Sequence, residues 1–123
     1  MDLGAIYRWE TDRAQGHEKR FKYHIFICDD VDGNHVFVYI NSMDWYKDHK
    51  ILKANYDFLE YDSFIGCNAV ERYTPKAFGS CNPELKGQLS DDDMKALRNA
   101  IIAAETMATG DMNLVCKALA AIL

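Results

Sequence analysis

The stretch KYHIFICDDVDGNHVFVYIN, residues 22–41, sets two dense apolar runs on either side of a polar link. KYHIFIC is rich in β-branched and aromatic residues and suits a buried strand, and HVFVYIN repeats that make-up. Between them Asp32-Gly33-Asn34 is a turn signal, since Gly and Asn accept the backbone angles of a tight reversal. The stretch predicts a β-hairpin over 22–41.

Upstream, AIYRW alternates apolar and polar positions, as a strand with one buried face does. Downstream, DSFIGCNAVERYT at 62–74 is a further strand candidate, with Gly66 marking a bulge. Between them SMDWYKDHKILKANYDFLEYD has no clean helical period. Its Trp45, Tyr46, Ile51, Leu52, Tyr56, Phe58 and Leu59 are expected to cover the sheet as short segments. Residues 1–78 thus read as mainly β.

The pattern changes at GSCNPELKG, and residues 79–89 read as a loop. Ser90 then caps a helix over 90–109, with Asp91, Asp92 and Asp93 favouring the positive end of its dipole. Met94, Leu97, Ile101, Ala104 and Met107 form one core-facing stripe, and Gly110 is expected to stop the helix. A second helix over 111–122 presents Met112, Val115, Cys116, Leu119 and Ile122. Its apolar face must lie against the barrel, a partner subunit or a foreign protein. Strands followed by helices imply a small α+β fold, a curved antiparallel sheet or barrel packed by C-terminal helices.

The 123 residues make one domain, 1–123, with a real core. At 49% hydrophobic and 27% charged the chain is neither disordered nor fibrous. No apolar run nears the roughly 20 residues of a membrane span. The N-terminus lacks signal-peptide order, so a cytoplasmic protein without membrane contact is expected. The four cysteines show no CxxC spacing. They read as small buried hydrophobes, a zinc site or disulfide pair being the alternatives, with Cys81 the most exposed.

Although the net charge is −5, positive charge gathers in GHEKRFKYH, where Lys19, Arg20 and Lys22 lie between His17 and His24. The landmarks Gly4-Ala5-Ile6-Tyr7, Gly16-His17-Glu18, HVFVYINS at 35–42, YDSFIGCNAVERYT at 61–74 and GQLSDDDMKAL at 87–97 occur in an order that resembles the MazF/PemK family of toxin proteins. The resemblance covers roughly residues 4–107. It implies an SH3-like barrel with C-terminal helices, a homodimer, an antitoxin-like protein partner, and cleavage of single-stranded RNA without a metal or other cofactor.

In that chemistry a base takes the 2′-OH proton, the oxygen attacks the adjacent phosphate, a cation stabilises the phosphorane, and an acid protonates the departing oxygen. The resemblance places His17, Lys22, Asn41 and Ser42 as candidate catalytic side chains. Lys19, Arg20, Lys22 and His24 are the RNA-binding set. Three positions depart from the family. Tyr23-His24 stands where Arg-Pro is common, Asn41-Ser42 where threonine precedes serine, and Gly66-Cys67-Asn68 where some members carry Arg-x-Asp. These departures leave a second reading open, a barrel that has lost the chemistry and binds protein or RNA as a regulatory module. The plainer alternatives are a solvated His17, a hydrogen-bonded His24, a solubilising basic cluster, and Trp9, Trp45, Tyr46 and Tyr56 as packing or dimer contacts rather than base-stacking platforms. Glu71 and Arg72 read as an exposed ion pair or strand-edge charges.

Overall fold

The computed structural model describes residues 1–13 and 18–122. The order of elements is β1 (Ala5–Thr11), β2 (Arg20–Asp29), β3 (His35–Asn41), β4 (His49–Ile51), β5 (Ser63–Ile65), β6 (Glu71–Tyr73), α1 (Pro75–Ser80), β7 (Glu84–Gln88), α2 (Asp91–Ala104) and α3 (Thr109–Leu119). The fold is α+β. Its strands form one curled antiparallel half-barrel ordered β4-β5-β3-β2-β1-β7, with β6 also joined to β3.

The hairpin lies at the centre of that sheet. Ile25 faces Val38 and Tyr23 faces Ile40, and the register shifts between Phe26 and Cys28. Asp30 closes the turn by accepting from the backbone N–H groups of Asp32 and Asn34, and Gly33 adopts φ 81°. The strand expected over 62–74 is two short strands, both on the same edge of β3: β5 beside Ile40 and Asn41, β6 beside His35 to Phe37. Between them the Cys67 N–H leaves the ladder to donate to the buried Asp48 carboxylate at 2.9 Å.

Alternation gives the sheet two faces. Ile6, Ile25, Val38, Ile40 and Ile65 form the core with Met94, Leu97 and Ile101 of α2 and Val115 and Leu119 of α3. Each such side chain contributes about 1.5–3 kcal/mol on leaving water. The opposite face buries Trp9, Phe26, Phe37 and Tyr73 beneath Phe78 of α1. The apolar face of the last helix therefore lies against the sheet, with Val115 and Leu119 sealed.

Three helix and loop boundaries differ from expectation. Residues 79–89 are not a loop: they hold the end of α1, which Thr74 caps through the Ala77 N–H, and β7, which pairs with β1. Gly87 reads as a loop residue yet pairs with Ile6 in β7, where a Cβ would stand 3.0 Å from the Phe58 ring. Gly110 does not stop α2. That helix ends at Ala104, Glu105 takes a left-handed conformation at φ 56°, Thr106 donates to the Cys67 carbonyl, and Met107 returns to the core. Gly110 falls in the first turn of α3.

The four cysteines are free. Cys67 is sealed and burial pushes its thiol up to about 12, whereas Cys28, Cys81 and Cys116 are half-buried. Cys81 is half-buried rather than freely exposed. It donates to the Ala77 carbonyl at 3.2 Å, and burial raises its pKa too. No described helix is long and apolar enough to cross a membrane.

Candidate functional site

A groove of about 320 Å³ lies between the start of β2, the end of β3 and residues 59–63. Arg8, Arg20, Lys22, Asn41, Ser42 and Glu60 line it. The geometry follows from the central hairpin: one residue beyond the Tyr23–Ile40 pair, Lys22 and Asn41 come side by side, and Lys22 Nζ donates to Asn41 Oδ1 at 2.5 Å. Arg8 enters from β1, whose register sets it opposite Tyr23. Its guanidinium lies 4.1 Å over the ring of Phe21, which is itself half exposed on the groove wall. Tyr61 supplies a second exposed ring.

Arg8, Arg20, Lys22 and Glu60 all contribute to the lining, with Arg8 on the sheet face of Tyr23 and beside Glu84, and Lys22 on the face of Trp9. Lys22 has a particular ionisation. Burial, and then the charge of Arg20, lower its pKa to about 8, so it exchanges a proton near neutrality more readily than an ordinary lysine. The Asn41 amide holds the ammonium in place, and the Tyr39 ring lies 5.4 Å from it.

The sequence candidates divide. Arg20, Lys22, Asn41 and Ser42 come together in this groove. Lys19 does not line it and pairs with Glu10 at 3.6 Å, both well exposed. His17 lies outside the described residues. His24 is corrected outright as an RNA contact, because its side chain is 0% exposed. It stacks on Trp9 with ring centres 3.5 Å apart, and its Nδ1 donates to the Lys22 carbonyl at 3.0 Å. Burial lowers its pKa to about 3, so it stays neutral. Trp9 Nε1 and His24 Nε2 find no hydrogen-bond partner among the described residues.

Trp9 and Tyr56 are core side chains, while Trp45 and Tyr46 are 49% and 41% exposed. Glu71 and Arg72 are not an ion pair with each other: Arg72 bonds Asp30 at 3.0 Å and Asp111 at 2.8 Å, tying α3 to the hairpin turn. Asp93 does more than favour a dipole. It accepts from His49 Nε2 at 2.9 Å and from the Tyr56 hydroxyl, which locks the start of α2 to β4. No three described His, Cys, Asp or Glu side chains are grouped so as to hold a metal.

Arg8 and Glu60 were not foreseen as site residues. Arg8 was legible in principle, since it is a polar position in the alternation of β1. Glu60 lies in a stretch without period, and no sequence signal places it in the groove. Compared with known proteins, the chain matches no family model and no curated protein.

Proposed function

We propose that this groove binds the phosphodiester backbone of single-stranded RNA and cleaves it without a metal, in the manner of MazF/PemK-like toxins, the curled sheet being an SH3-like barrel. The observation that carries the reading is the convergence of Arg20, Lys22, Asn41 and Ser42, together with the Lys22 pKa of about 8.

In this mechanism the Glu60 carboxylate takes the proton of the ribose 2′-OH, and the freed oxygen attacks the adjacent phosphorus. The bond from phosphorus to the 5′ oxygen breaks, and the Lys22 ammonium supplies the proton that the departing oxygen takes up. A 2′,3′-cyclic phosphate and a 5′-hydroxyl end result. Arg8 and Arg20 balance the extra charge on the phosphorane, Ser42 donates to a phosphate oxygen, and Asn41 positions Lys22. On this reading the protein acts as a cytoplasmic homodimer held in check by an antitoxin-like partner.

A second reading, RNA or protein binding without cleavage, is favoured by one observation: the histidine of the second strand is sealed beneath Trp9 and contributes no acid or base. Incubating the protein with long single-stranded RNA in EDTA and low salt, and mapping 3′ ends, decides between them. Cyclic phosphate ends from the parent, lost in both Lys22→Met and Glu60→Gln, are the result expected. Binding that needs Arg20 and Lys22 but leaves the RNA intact establishes the binding module instead.

A further inference from the structure

Asn41 lines a second, smaller depression of about 170 Å³ on the other side of its bond to Lys22. This is below the roughly 300–1,000 Å³ of pockets that enclose a whole ligand, and fits one ring system. Arg13, Tyr39, Trp45, Tyr46, Asn68 and Glu71 complete its walls.

Two features there, the Glu71 carboxylate and the exposed Trp45 and Tyr46 rings, have no structural explanation. Glu71 is half-buried and accepts no hydrogen bond from any described residue, although burial raises its pKa and only the charge of Arg13 opposes that. The Tyr39 hydroxyl is inaccessible and has the Thr11 side chain as its hydrogen-bonding neighbour. Trp45 and Tyr46 expose large aromatic surfaces on a loop that is pinned rather than loose. Asp48 there is buried and accepts from the Trp45 and Cys67 backbone N–H groups, while its own N–H donates to Asp44. A desolvated carboxylate awaiting donors beside preorganised rings describes a receptor for a flat heterocycle with adjacent N–H groups.

We propose that this depression is a guanine subsite, in which Trp45 and Tyr46 hold the ring by stacking while the Glu71 carboxylate accepts from the N1–H and the 2-amino group. Guanine alone among the four RNA bases offers two adjacent donors on that edge. Adenine and cytosine place an amino group beside a ring acceptor, which repels a carboxylate, and uracil has a single N–H flanked by carbonyls. Arg13 lies on the same wall and suits the O6 acceptor. Through the shared wall of Asn41 the subsite continues the groove, so as an RNA-reading element it rests on the function proposed above, whereas its affinity for the free base does not.

The test is a fluorescence titration with guanosine, adenosine, cytidine and uridine, which carry no phosphate and make no demand on the groove. Of the two tryptophans only Trp45 is exposed, and Trp45→Phe assigns the signal. Guanosine should bind about ten- to a hundred-fold more tightly than the other three, the discrimination expected of a two-donor pair. Glu71→Gln, checked for folding by circular dichroism, should erase that preference. Trp45→Ala, an exposed site that leaves the core intact, should weaken all binding when followed by calorimetry. Equal affinity for the four nucleosides, or a guanosine preference that survives Glu71→Gln, overturns the proposal. A parallel titration with oligouridine carrying one G or one A separates the two claims. Lys22-dependent binding indifferent to G overturns the subsite and leaves the RNA groove. Guanosine selectivity with no oligonucleotide binding sustains the subsite and removes the RNA reading.

Discussion

Lys22 Nζ and Asn41 Oδ1 meet at 2.5 Å across the β2–β3 pair, and this one bond stands between the two depressions of the sheet end. It joins the half-buried cation of the groove to the residue that closes β3. Both its members matter to the chemistry, because the amine needs its acceptor to stay charged in a partly desolvated place.

If Lys22 supplies the proton to the departing oxygen, it must be protonated. Cleavage should then fall as pH rises through about 8, its lowered pKa. Arg20→Gln removes the second cause of that lowering, so the alkaline limb should move to higher pH even as RNA binding weakens. The pH–rate profile, together with a carbon-13 titration of the Lys22 side chain, reads both shifts; coincidence of the two in each variant is expected.

His24 should make the fold sensitive to acid. Its pKa is lowered by burial from the ordinary 6.5 to about 3, so between those values the unfolded chain holds a proton that the folded chain does not. Stability from this group is complete above pH 6.5 and is lost as pH falls toward 3, at about 1.4 kcal/mol per pH unit where one full proton is taken up. His24→Phe keeps a ring against Trp9 and removes the titration. Urea denaturation at pH 7 and pH 4.5 should show a markedly smaller difference for the variant than for the parent.

Gly87→Ala introduces a Cβ 3.0 Å from the Phe58 ring within β7. The Phe58 ring must give by a few tenths of an ångström, so the substitution should cost stability to the extent that the ring is held by its packing. Phe58 is half-buried and packs on the core, so Phe58→Leu should relieve part of the strain. A double-mutant cycle by thermal denaturation should give a coupling between the two sites, and strict additivity would disprove the contact as the cause.

Deleting residues 109–122 removes Val115 and Leu119 from the core and the Asp111 partner of Arg72. Losing two sealed aliphatic side chains, at about 2–5 kcal/mol each, consumes most of a small domain's stability. The shortened chain should lose cooperative unfolding by circular dichroism and bind a hydrophobic dye.

The hairpin of residues 22–41, the capped start of α2 and the Met94–Leu97–Ile101 stripe were legible because local composition and period encode them. Arg20, Lys22, Asn41 and Ser42 were singled out through the family resemblance, and the register of the hairpin then sets Lys22 beside Asn41. Only the tertiary structure decided the rest. Gly87 belongs to a strand because it pairs with Ile6 of β1, and the Phe58 ring packs where its side chain would be. Glu105 rather than Gly110 ends α2 because Met107 must return to the core. His24 is sealed and Glu60 stands in the groove because the sheet curls, and that curl depends on partners far apart in the chain.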